Sequence, residues 1–267
     1  MNRLSATFLH ARQRSLKLLC PFLTAGFPSP AATVDLLIAA QDGGAGMLEL
    51  GIPFSDPVAD GPIIQGSYTH ALLHGATVEN SLDALAAARA RGLTVPVMAM
   101  VSFSIIFKRG TRAFARQCAR AGADGLILPD VPLEEAPAIV EVLRENDLRT
   151  SLLVAPTTPP ERRAQIARLC DAFVYYLSVS GITGERKALP ADIAPNVAAL
   201  RAATDAPICV GFGISTPEQV REVTRVADGA IVGSALIRRI SAALGDPAAA
   251  QSGAVRSFVA ELATGLR

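Results

Sequence analysis

Charge is scarce in this chain: 18% of its 267 residues are Asp, Glu, Lys or Arg, and the formal net charge is +1. Nucleic acid and anionic membrane surfaces demand clustered Lys and Arg, so neither is expected as a partner and a small-molecule ligand fits better. Cysteine is scarce too. Cys20, Cys118, Cys170 and Cys209 stand far apart with no C-x-x-C pair, which argues against a zinc site or a redox dithiol and leaves small apolar core residues of a reducing compartment. Long apolar runs are missing. The uncharged run Leu93 to Phe107 contains Pro96 and falls short of the roughly 18 to 20 residues needed to span a bilayer. Histidine gives no metal site either: His70 and His74 are four apart, but no nearby His, Cys or H-E-x-x-H pattern completes a set.

What the chain has is apolar mass. Half of its residues are hydrophobic, enough to bury a large core, and 267 residues is the usual size of one β/α barrel. Residues 1–267 are therefore read as a single domain. At the N-terminus Arg3, Arg12, Arg14 and Lys17 precede the apolar stretch Leu18 to Phe27, a pattern that resembles a signal peptide. The competing and preferred reading makes Ser5–Arg14 a short helix and Lys17–Thr24 the first strand, whose loss would leave an unpaired barrel edge. A cytoplasmic location follows from that reading.

Short β-rich or apolar runs recur at Lys17–Thr24, Met47–Ile52, Val95–Val101, Gly125–Leu128, Thr150–Val154, Phe173–Ser178, Ile208–Gly211 and Gly229–Val232. Segments of helical period lie between them, at Ala31–Gln41, Ser81–Arg91, Thr111–Ala121, Leu133–Glu145, Glu161–Leu169, Ile193–Ala203, Pro217–Val226 and Ser234–Leu244. Strict alternation implies parallel strands with crossover helices, and eight units predict a closed (β/α)8 TIM barrel with a short N-terminal helix; an open doubly wound sheet is the alternative. The most irregular stretches, Pro53–Gln65 and Val179–Pro190, both follow strands, which places them at the catalytic face.

Along Met47–Ile52 a period of two puts Leu48, Leu50 and Ile52 on one side and Met47, Glu49 and Gly51 on the other. With the bulky side under the helices, Glu49 points into the barrel near its C-terminal mouth, where an ionised carboxylate without a partner is costly. Proton transfer explains that cost; a buried Glu paired with an unseen Lys or Arg, or a slipped register, is the bland alternative. The loop Pro53–Pro62 adds Asp56 and Asp60 beside three prolines that restrict its freedom. Each Asp, taken alone, also reads as a turn-former or helix cap.

Glycine-bearing turns follow the last two strands, Gly211-Phe212-Gly213-Ile214-Ser215 and Gly233-Ser234. Many barrels bind phosphate at these positions, on backbone N–H groups and the N-terminus of the following helix. The pattern lacks the further glycine of a dinucleotide fingerprint. Ser180-Gly181-Ile182-Thr183-Gly184 has a length that suits a lid. Of the adjacent Tyr175 and Tyr176, one faces the barrel mouth, and the sequence does not choose between them.

The run Leu48-Glu49-Leu50-Gly51-Ile52-Pro53-Phe54-Ser55-Asp56-Pro57-Val58-Ala59-Asp60-Gly61-Pro62-Ile63-Ile64-Gln65 resembles the signature of the tryptophan synthase α-subunit family. Supporting matches follow in family order: Pro21–Gly26, Asp130-Val131-Pro132, Ala155–Pro159, Ser178–Gly184, Gly211–Ile214 and Gly233-Ser234. The resemblance implies retro-aldol cleavage of indole-3-glycerol phosphate to indole and glyceraldehyde 3-phosphate. It implies no metal or organic cofactor on this chain, and a pyridoxal-phosphate-bearing β subunit as partner in an αββα complex. By the same resemblance Glu49 transfers both protons, Asp60 stays ionised and accepts the indole N–H, and Thr183 bonds that Asp when a lid closes. Phe22 and Tyr175 match ring- or substrate-contacting positions, Phe212 joins them as a substrate-binding residue, and Gly184, Gly213, Gly233 and Ser234 match phosphate ligands.

Two departures bear on the partner. The family usually carries Tyr-x-Asn where this chain has Ser102-Phe103-Ser104, and an Arg in many members is Val179 here. The loop after the third strand borders both the indole pocket and the β-docking surface, so a stand-alone lyase releasing free indole and a non-catalytic activator of a β-like chain stay open as alternatives.

Overall fold

The structure is a computed structural model and describes residues 2–58, 60–177, 192–211 and 213–267. Its elements run α1 (Arg3–Gln13), β1 (Leu18–Thr24), α2 (Ala32–Asp42), β2 (Leu48–Gly51), α3 (Pro62–Leu73), α4 (Val78–Ala90), β3 (Val97–Met100) and α5 (Phe103–Arg109). They continue through α6 (Thr111–Ala121), β4 (Gly125–Leu128), α7 (Ala136–Glu145), β5 (Arg149–Val154), α8 (Pro160–Leu169), β6 (Val174–Leu177) and α9 (Ile193–Arg201). The last are β7 (Ile208–Gly211), α10 (Pro217–Thr224), β8 (Gly229–Val232), α11 (Ser234–Ala242) and α12 (Ala248–Ala263).

All eight strands pair in parallel and in chain order, and β1 closes on β8, so the sheet is a barrel and the open-sheet alternative falls. Closure rests on Leu18–Pro21 of β1, which pair with Gly229–Val232 of β8, while Phe22–Thr24 pair with Glu49–Gly51 of β2. The apolar stretch after Lys17 is thus a barrel strand. Every residue of β1, β2, β3, β4, β7 and β8 is buried, as parallel strands under a helical ring must be. Helix faces answer them: in α6, Phe114, Ala115, Cys118 and Ala121 are buried at three- and four-residue spacing.

Three helices depart from the expected pattern. The stretch read as irregular through Gln65 ends earlier, because Pro62 opens α3 at a position where its missing N–H costs nothing. Within the uncharged run ending at Phe107, Ser102 precedes the short α5. Beyond the last expected helix lies α12, which buries Val255, Phe258, Val259 and Leu262 and packs chiefly against α2.

The N-terminal face of the barrel is closed by a polar clasp. Asp124, buried just before β4, accepts from Arg3 Nε at 2.9 Å, Arg89 Nη2 at 2.7 Å and the Val97 N–H at 2.9 Å. Asn2 Nδ2 donates to the carbonyls of Asp124 and Asp147, which holds α1 across the barrel floor.

Candidate active site

The pleat of β2 aims Glu49 and Gly51 into the barrel at its C-terminal end. Glu49 is 1% exposed, and its Oε2 has no hydrogen-bond partner among the described residues. Gly51 marks the direction: a Cβ built there would lie 2.5 Å from Tyr68 Oη and 2.6 Å from the Phe22 ring, so only glycine fits. The barrel repeats the device across its axis, where a Cβ on Gly211 would lie 2.6 Å from Tyr175 Oη. Tyr175 is therefore the tyrosine that faces inward, and Tyr176 packs outside β6.

Above Glu49 opens a cleft of about 570 Å³ lined by Phe22, Glu49, Asp60, Tyr175, Gly213, Gly233 and Ser234, with Met100, Pro129 and Leu153 among its apolar walls. Seven of the sequence-derived site residues thus share one cavity. Thr183, Gly184 and Phe212 lie outside the described residues. The apolar wall residues were not singled out in the sequence, although a period of two from the strand ends leads to Met100 and Leu153.

Burial governs the carboxylates. Taking Glu49 out of water, with the Asp60 charge adding to it, pushes its pKa up to about 8. Burial likewise pushes Asp60 up to about 7. The Tyr175 phenol is pushed upward by burial first and then by Glu49. The two carboxylates, unlike the phenol, are groups whose protonation states lie close together in free energy at neutral pH, the condition for efficient proton transfer.

At the other end of the cleft, α11 begins at Ser234 with no side-chain cap at its N-terminus and no acidic residue in its first turn. Its first N–H groups therefore face the cleft with the positive end of the helix dipole. Gly213 adopts φ +83°, a left-handed conformation that turns the chain after β7 toward the same end.

A second, smaller cleft of about 290 Å³ joins the first through Asp60, Met100 and Pro129, and is lined by Ile52, Phe54, Val58, Tyr68, Ser102 and Asp130. Here Ser102 Oγ donates to Asp130 Oδ2 at 2.6 Å and the Phe103 N–H donates to Asp130 Oδ1 at 2.7 Å, which ties α5 to the end of β4. His70 and His74 stack at 4.1 Å and bond to the carbonyls of Pro28 and His70, and no cluster of metal-ligating side chains occurs among the described residues. The four cysteines are buried free thiols.

The sequence profile described as tryptophan synthase alpha chain matches residues 8–264. The chain belongs to the tryptophan synthase α chain family. The tryptophan synthase alpha chain of Chloroflexus aggregans is 43% identical over 240 residues, 90% of each chain. That of Burkholderia ambifaria is 39% identical over 266 residues, which cover 100% of this chain and 97% of its own. Among solved structures, tryptophan synthase from M. tuberculosis in its aminoacrylate-bound form matches with a TM-score of 0.87 at 31% identity, covering 100% of both chains. The tryptophan synthase A-subunit of Pyrococcus furiosus gives 0.84 at 33%, covering 93% of this chain and 99% of that one. Against this tryptophan synthase α background, the Ser102–Asp130 pair shows what became of the departure after β3: Ser102 holds the Asp130 carboxylate, which takes the Phe103 N–H at the start of α5.

Proposed function

We propose that Glu49 is the proton-transfer group and Asp60 the indole N–H acceptor of the reaction this family performs. The chain is a carbon–carbon lyase of tryptophan biosynthesis that cleaves indole-3-glycerol phosphate to indole and glyceraldehyde 3-phosphate. The observation that carries the assignment is the buried, unpartnered Glu49 oxygen at the floor of a cleft that also holds Asp60.

In this reading a proton adds to indole C3 and the proton of the adjacent side-chain hydroxyl is removed. The carbon–carbon bond then breaks, its electron pair returns to the ring, and the hydroxyl carbon becomes the aldehyde of glyceraldehyde 3-phosphate. Glu49 gives one proton and takes the other, so it ends as it began. Asp60 accepts a hydrogen bond from the ring N–H, which grows more acidic as positive charge develops, so this contact strengthens toward the transition state. Phe22, Tyr175 and Phe212 flank the ring, Thr183 meets Asp60 from the lid, and Gly184, Gly213, Gly233 and Ser234 bind the phosphate with the α11 N-terminus.

The family uses no cofactor of its own and pairs with a β subunit, which carries the pyridoxal phosphate; the proposed assembly is αββα. Val58 and Phe107, 75% and 76% exposed beside the mouth of the barrel, are apolar surface suited to that docking. The stand-alone lyase and the non-catalytic activator are not favoured, because the relatives carry the tryptophan synthase alpha chain name. The chain is read as one domain over residues 1–267 and as cytoplasmic; no described helix is long and apolar enough to cross a membrane.

Indole release by the purified chain, with and without a β subunit, tests the assignment. Glu49→Gln and Asp60→Asn are each expected to lower kcat by about two to four orders of magnitude. Ordinary turnover in either variant would remove that residue from its role.

A further inference from the structure

We propose that the Tyr68 hydroxyl donates a hydrogen bond to the ionised Glu49 carboxylate and so acts as the positioning residue for the proton-transfer group. The inference rests on the reading of Glu49 given above.

Tyr68 reaches the site from α3, outside the strands that supply most of the cleft. Its ring is 2% exposed and lies against Phe22, with centroids 6.4 Å apart. Its hydroxyl occupies the space above Gly51, on the face of β2 that also carries Glu49. Two residues along a strand span about 6.6 Å, so an extended glutamate side chain can bring its carboxylate toward that hydroxyl. Glu49 Oε2 has no partner among the described residues, and the bond is the one its ionised form is proposed to make. The hydroxyl also borders the second cleft beside Asp60. The position of α3 is fixed next door, where the Ser67 hydroxyl donates to the Ile64 carbonyl at 2.7 Å and lies 2.6 Å from Thr24 Oγ1 of β1.

Charge leaves few other ways to hold an ionised Glu49. Among the described residues, the titratable groups that face it are Asp60 from the loop after β2, Tyr68 from α3, Cys20 from β1, Tyr175 from β6 and Cys209 from β7. Each is neutral or negative, and none supplies a cation. A neutral donor must therefore stabilise the carboxylate, and a phenol is a stronger donor than a thiol. Tyr68 is the phenol whose hydroxyl lies over Gly51 of Glu49's own strand, while the Tyr175 hydroxyl sits across the barrel over Gly211.

The test is a carboxyl ¹³C NMR titration of the full, unliganded chain labelled at glutamate Cδ and aspartate Cγ, with Glu49 and Asp60 assigned by their absence in Glu49→Gln and Asp60→Asn. In Tyr68→Phe, which keeps the ring and removes the donor, the Glu49 titration is expected to move up by about one pH unit. Difluorotyrosine in place of Tyr68, a more acidic donor, is expected to move it down. Indole release by Tyr68→Phe should fall about tenfold in kcat with KM held within about twofold. An unmoved Glu49 titration in both variants overturns the proposal. So does a shift confined to Asp60, or one produced by Tyr175→Phe and not by Tyr68→Phe. Ordinary turnover in Glu49→Gln is a separate result: it removes Glu49 from the chemistry and leaves the titration to be judged by itself.

Discussion

Glu49 is a carboxylic acid placed where its charged form is disfavoured, and the fold bears the cost in stability. Its pKa rises from 4.5 to about 8 on burial, which means that the folded chain binds this proton more tightly than the unfolded one. The contribution is therefore fully present below the unfolded value and is lost as pH climbs through the window from 4.5 to about 8. Glu49→Gln carries no such charge. It should be more stable than the parent by on the order of a few kcal/mol at pH 8, with the gain vanishing toward pH 4, as thermal midpoints across that range would show. A constant difference with pH would mean that Glu49 titrates normally. The inward aim of this residue was legible from the alternation Leu48-Glu49-Leu50-Gly51 alone, because one flanking set is bulky and the other is not. Tyr68 was not legible: its role depends on α3 crossing over Gly51, and no local pattern encodes that crossing.

Helix ends matter most at the scale of elements. The absence of a capping side chain at α11 leaves its first N–H groups free to take an anion, whereas α4 and α10 close theirs with capping boxes from Thr77 and Thr216. Ser234→Asp places a carboxylate where the phosphate is proposed to sit. We expect KM for indole-3-glycerol phosphate to rise at least about tenfold by charge repulsion, with the thermal midpoint unchanged or slightly higher, since acid in a first turn favours a helix. An unchanged KM would move the phosphate elsewhere. The eight strands and nine of the twelve described helices were readable in the sequence, the N-terminal one included. The signal for α12 was present as Val255, Phe258, Val259 and Leu262 at helical spacing, diluted by the small residues Ala248–Ala250 and Gly253. In α3 the proline at the start reads as a loop residue unless it is taken as the first residue of a helix.

Across the whole molecule, the two barrel faces divide the work. The C-terminal mouth carries the cleft, and the N-terminal floor carries the Asp124 clasp, where one buried carboxylate serves Arg3, Arg89 and the Val97 N–H. Asp124→Ala leaves the buried Arg89 without its carboxylate and removes the Arg3 tie to α1, while the Asn2 bonds to backbone carbonyls remain. It should cost about 3 kcal/mol in urea unfolding while kcat at 25 °C stays within about twofold of the parent. Loss of kcat in step with stability would mean that the floor and the mouth are coupled. The clasp joins residues more than a hundred positions apart, so its parts are visible in the sequence only as unrelated polar residues.

The two inward tyrosines also make the cleft optically distinctive. The chain contains no tryptophan and three tyrosines; Tyr175 lines the cleft proposed for the ring and Tyr68 lines the adjoining one. An indole ring bound beside them absorbs where tyrosine emits, so it would quench the protein's own fluorescence and glow in its place. Substrate entry and indole departure can then be followed by energy transfer in the unmodified protein, without a dye or a coupled enzyme.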